Sequence, residues 1–66
     1  MKNPIEFKLR NGCYICIDID SLKKIEEYSE KYSIIHYSII FDLCSCDVEG
    51  SYQQIFEYIA NYKRND

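Results

Sequence analysis

Sixty-six residues carrying a formal charge of −3 make one small domain, 1–66. A chain of this length has no room for a dinucleotide fold, a barrel or a separate substrate domain. It buries only about 60% of its unfolded surface, so its expected stability is roughly 3–10 kcal/mol.

Hydrophobic residues make up 47% of the chain, with 11 Ile and 7 Tyr, which is enough to build a core. Eleven acids against eight bases argue against a general nucleic-acid binder, which needs clustered Lys and Arg. The first ten residues contain no apolar core and no cleavage motif of a signal peptide. The longest apolar stretch, Ile34 to Phe41, is interrupted by His36 and Ser38 and is far short of the ~20 residues that span a bilayer. A cytoplasmic protein with reduced thiols and no membrane association is expected.

Ile5 to Leu9 alternates apolar and charged residues, as a half-buried strand does. Cys13 to Ile19 alternates again. A two-residue Asn11-Gly12 loop would place Ile15 and Ile17 on the face of Glu6 and Lys8. A three-residue loop, Arg10 to Gly12, instead pairs Leu9 with Cys13, Phe7 with Ile15 and Ile5 with Ile17. That register gathers the apolar side chains on one face and puts Gly12 in the left-handed conformation.

Asp20 or Ser21 then caps a predicted helix whose buried stripe is Leu22, Ile25, Tyr28 and Tyr32. A third strand is predicted from Ser33 to Leu43. Its apolar face is Ile35, Tyr37, Ile39, Phe41 and Leu43, and its other face is His36, Ser38, Ile40 and Asp42. Cys44 to Gly50 reads as a polar connection. Ser51-Tyr-Gln-Gln54 is a capping-box signature for a last helix to about Lys63. That helix buries Tyr52, Ile55, Phe56, Ile59 and Tyr62 and ends on Lys63 and Arg64, which suit its dipole. The predicted fold is an α+β two-layer sandwich, β-β-α-β-α, with both helices on one face of a three-stranded sheet.

The cysteines invite a zinc reading. Cys13 and Cys16 are three apart on a predicted strand, so their side chains point to opposite faces. In the predicted topology ~20 Å of strand separates Cys13 from Cys44, against a zinc–sulfur bond of ~2.3 Å, so a single four-cysteine site is not expected. A site at Cys44 and Cys46, completed across a homodimer with Asp47, is one alternative. His36, the only histidine, has no fixed partner in the sequence and falls near Cys16 if strands two and three are neighbours. No phosphate loop, dinucleotide fingerprint or HExxH is present. No catalytic residue, metal or cofactor is assigned.

One predicted open sheet face carries Glu6, Lys8, Arg10, Tyr14, Cys16, Asp18, His36, Ser38, Ile40 and Asp42. Weak single-stranded RNA binding through Tyr14, His36 and Arg10 is a second alternative. The acids Asp18, Asp20, Glu26, Glu30, Asp42, Asp47 and Glu49 form the candidate partner-binding set, with Glu26 and Glu30 as a ridge on the first helix. The expected function is a small acidic, non-enzymatic protein–protein interaction module. It would dock on a basic surface, as an inhibitor or modulator of a nucleic-acid-processing protein does, and would also form a homodimer.

Overall fold

The computed structural model describes residues 3–64 of the chain; residues 1–2 and 65–66, and the side chain of Arg64, lie outside that description. Strands β1 (Pro4–Lys8) and β2 (Tyr14–Asp18) form an antiparallel hairpin. A single 3₁₀ turn, Ile19–Ser21, leads into β3 (Leu22–Glu27), β4 (Tyr32–Ile39) and β5 (Asp42–Glu49), an antiparallel sheet in the order β3-β4-β5. One helix, α1 (Tyr52–Arg64), closes the chain. The fold is α+β, with five strands in two sheets and one helix in place of the expected three strands and two helices.

The hairpin follows its sequence. Phe7 pairs with Ile15 and Ile5 with Ile17, Leu9 N–H donates to the Cys13 carbonyl at 2.7 Å, and Gly12 has φ 92°. The three-residue loop is therefore correct, and Ile5, Phe7 and Ile17 point together into the core.

The predicted first helix does not form. Leu22 and Ile25 share a face because β3 contains a bulge. Leu22 pairs with Tyr37 and Lys24 with His36, so Lys23 is an extra residue opposite no partner. One added residue turns a spacing of three into a same-face strand spacing, which imitates helical periodicity. Beyond β3, the Ser29 hydroxyl oxygen accepts from the backbone N–H groups of Lys31 and Tyr32, and Ser29 N–H donates to the Tyr32 carbonyl. Serine here satisfies backbone donors in a turn rather than in a helix.

The predicted third strand is two strands. It turns at Ile40 and Phe41, and the chain returns as β5 through the segment expected to be a polar connection. Cys44, Cys46 and Val48 face inward and alternate with Ser45, Asp47 and Glu49. Phe41 and Leu43, expected in the core, are exposed.

The capping box is present: Ser51 N–H donates to Gln54 Oε1 at 2.9 Å, and Gln54 N–H donates to the Ser51 hydroxyl at 3.3 Å. Of the expected stripe, Ile55 and Ile59 are buried and Tyr62 packs beside them, whereas Tyr52 and Phe56 stay at the surface. No helix among the described residues is long and apolar enough to cross a membrane.

The hairpin, the larger sheet and α1 bury one common cluster. Ile5, Phe7, Ile17 and Ile19 meet Ile35, Tyr37 and Val48 over Ile55 and Ile59. Phe7 packs edge-on against Tyr58 at 5.6 Å between ring centres. The Tyr58 hydroxyl donates to the Glu6 carbonyl at 2.7 Å, and the Tyr62 hydroxyl donates to the Pro4 carbonyl. Val48 has neighbours on both sides, pairing with Ser33 of β4 and bridging to Leu9 beyond β1. Buried Ser33 donates its hydroxyl to the Gly50 carbonyl at 2.8 Å, so the one buried polar side chain among the described residues is satisfied.

Ile35 has no exposed surface. Ile35→Ala is expected to cost about 2–5 kcal/mol in urea denaturation, most of the stability of so small a domain. Gly12→Ala is expected to cost roughly 1–2 kcal/mol through backbone strain alone, because nothing lies within 4 Å of its added methyl group. Gly50→Ala is expected to cost more, because at φ 126° its methyl group would also stand 3.0 Å from Ile55 Cδ1. Equal losses at the two glycines would mean that Ile55 yields without cost.

Candidate interaction site

Two residues, Ile40 and Phe41, join β4 to β5 between the paired Ile39 and Asp42. A loop this short needs a positive φ at its first residue or at both, which is why such turns favour glycine and asparagine. Here the first position is Ile40, at φ 55°. A β-branched side chain in the left-handed region is strained. The side chain held there is also 87% exposed, beside Phe41 at 98% and Leu43 at 73%. With half-exposed Ile39 they form an apolar tip that contributes little to the core. Exposed large apolar side chains are here neighbours in the chain rather than scattered singly.

The tip has an acidic surround. Asp42 pairs with Ile39 in the ladder. Asp18 lines a depression of about 280 Å³ together with Cys16, Ser21, Ile39 and Ile40. Its carboxylate also accepts from the Asp20 N–H at 3.1 Å and so starts the 3₁₀ turn, on which Asp20 stands exposed. Asp42 thus lies at the tip end of the larger sheet, and Asp18 reaches the tip from the hairpin, with Asp20 two residues further along the chain.

The other four acids lie elsewhere. Glu26 and Asp47 stand on the outer face of the larger sheet on either side of Ile34, two strands and roughly 9.5 Å apart. Glu26 is 2.9 Å from His36 Nε2, and Asp47 is 3.6 Å from the Arg10 guanidinium. Glu49 is 3.7 Å from Lys8. Glu30 lies in the β3–β4 turn and lines a depression of about 790 Å³ with Glu6, Lys8, Lys31, Glu49 and Tyr58. Glu26 and Glu30 form no helical ridge, because the helix expected to carry them is a strand and a turn.

Arg10 clamps the outer face. Its guanidinium carbon lies 5.1 Å from the Tyr32 ring centre and 5.6 Å from that of Tyr28. The Tyr28 hydroxyl, chiefly, and Asp47 favour its charged form. The expected RNA-stacking trio is not assembled: Arg10 is engaged here, His36 pairs with Glu26 on β4, and Tyr14 projects from β2 in the other sheet. The single open face expected for both hairpin and β4 residues is therefore divided between two sheets.

Cys13 and Cys16 are exposed on the hairpin, whereas Cys44 and Cys46 are half-buried against the core. Burial pushes the Cys46 thiol up, and the neighbouring Asp47 and Cys44 add to the shift against an opposing contribution from Tyr37. Both Cys44 and Cys46 face inward from β5 rather than outward from the sheet. Among the described residues, no three Cys, His, Asp or Glu side chains converge.

The sequence holds one cue to the tip. Ser33 to Leu43 is long for a strand, whose usual length is about 5–6 residues, so a turn near its middle is to be expected. Ile40 and Phe41 carry none of the residue chemistry that normally marks one. Compared with protein-family models, curated proteins and solved structures, the chain matches none of them.

Burial also pushes Tyr37 and Tyr58 up from their ordinary value of 10.0, and Cys46 up from 9.0. Each is an acid that holds its proton more tightly when folded. The stability it contributes is complete below the unfolded value and is lost as pH rises through the folded one. Melting temperature is expected to hold level up to pH 9 and then fall, more steeply beyond pH 10. Cys46→Ala is expected to remove the earlier part of that fall.

Proposed function

We propose that this chain is a non-enzymatic protein-interaction module that inserts the β4–β5 tip into an apolar recess rimmed by basic groups on a partner protein. The observation that carries the reading is Ile40: a strained backbone, at φ 55°, holds an almost fully exposed apolar side chain. Strain of about 1–2 kcal/mol in a marginally stable domain is a large concession for a side chain left almost wholly in solvent. Phe41 supplies the large aromatic surface that dominates binding energy at interfaces. Asp18, Asp20 and Asp42 supply complementary charge, which speeds encounter and sets orientation. A nucleic-acid-processing protein offers such a surface, and an acidic apolar finger seated there would act as its inhibitor.

The trade between stability and binding is the test. Ile40→Gly is expected to raise stability by about 1–2 kcal/mol, because glycine adopts positive φ freely. The same change is expected to weaken partner binding, and Phe41→Ser to weaken it by about 10-fold or more. Chains with native or altered tips, immobilised and exposed to lysate of the source cells, provide the comparison. A protein retained by the native chain, lost with Phe41→Ser and reduced by salt supports the reading. A retained set indifferent to both substitutions overturns it.

A further inference from the structure

At the edge of the larger sheet, a groove of about 360 Å³ runs between β3 and α1. Its floor is Leu22, Ile25, Ile59 and Ala60, and Tyr52 and Phe56 line one wall with their rings stacked at 6.3 Å. Lys23, Lys24 and Lys63 line it too, and no carboxylate does. None of these three lysines forms an ion pair among the described residues, whereas Lys8 and Arg10 elsewhere are paired. A cluster of three unpaired ammonium groups around apolar surface stands out in a chain of net charge −3. Charge and bulge at Lys23 blunt β3 against the addition of another strand, so an occupant must use its side chains.

We infer that the groove receives the β4–β5 tip of a second copy of this chain, Ile40 and Phe41 entering its apolar floor and Asp42 meeting Lys23 and Lys63. The inference rests on the reading of the tip as a docking element and names one partner for it. Both halves of the contact lie on the same molecule with opposite charge and matching apolar character. They also lie toward the same end of the sheet. Leu22, at the start of the groove, pairs with Tyr37, three residues and roughly 10 Å of strand before Ile40. Two copies related by a two-fold axis then exchange tips, each filling the other's groove. The contact closes as a dimer and does not propagate.

A charge swap tests it. Asp42→Lys alters the tip, and Lys23→Glu with Lys63→Glu alters the groove; all three positions are exposed, and circular dichroism checks folding. In sedimentation equilibrium the native chain is expected to dimerise and to dissociate on dilution. Each altered chain alone is expected to associate about 10-fold or more weakly, because like charges now meet. Mixed in equal amounts, the two altered chains restore opposite charge at both contacts, and the dimer is expected to return. A native chain that stays monomeric at millimolar concentration overturns the inference, as it would if the groove served a foreign acidic segment. A dimer indifferent to both alterations, or a mixture no better than its parts, overturns it as well. Tip-dependent capture of another protein would survive those results, so loss of this inference is distinguishable from loss of the docking role itself.

Discussion

Three consecutive residues of β5 join the molecule. Asp47 accepts the Arg10 backbone N–H at 3.2 Å and pairs with its guanidinium, Val48 bridges Leu9, and Glu49 meets Lys8. Without this joint the hairpin would be tied to the rest only through α1, and a two-stranded ribbon by itself is marginal in water. With it, the hairpin's apolar face lies over the same helix as the larger sheet. A 13-residue helix with a narrow apolar stripe can then close a core drawn from five strands. The ion pairs at the joint are exposed and add little by themselves. The geometry comes from the backbone bridge and from Val48, which has no exposed surface.

That arrangement explains what is left at the surface. The helix turns Ile55 and Ile59 inward and leaves Tyr52 and Phe56 beside β3, where they wall a groove. The sheet turns Cys44, Cys46 and Val48 inward and runs out of core before it reaches the β4–β5 turn. Ile39 to Leu43 therefore project past the last buried layer. The two surfaces with unsatisfied apolar area are consequences of one short helix covering more strand than it can bury. They carry opposite charge because Asp42 follows the turn and the lysines fall on the β3 edge and the helix end.

The parts of the fold that could be read in the sequence are those where one residue type forces one conformation. Gly12 allows the left-handed turn that sets the hairpin register, and Ser51 with Gln54 starts the helix by exchanging hydrogen bonds. The parts that could not be read are those where one structure imitates another. A bulge at Lys23 gives Leu22 and Ile25 helical spacing within a strand. Ile40 and Phe41 turn the chain where glycine or asparagine would be expected. Cys44, Cys46 and Val48 do alternate as a strand should, but two thiols give a weak apolar signal beside Ser45, Asp47 and Glu49. The acids expected to form one set are spread over both sheets and the turns between them, and the apolar tip is hidden within a run that resembles strand interior.

The hydroxyls of Tyr58 and Tyr62 tie the helix to the first strand. They occupy the Glu6 and Pro4 carbonyls, which β2 does not reach, and Pro4 has no N–H to offer. The helix thereby seals these two acceptors on the outer margin of β1. Fraying of the last helical turns lifts that seal while the rest of the molecule remains native. The margin of β1 and the end of α1 therefore come loose as one local unit, at a free energy below that of global unfolding.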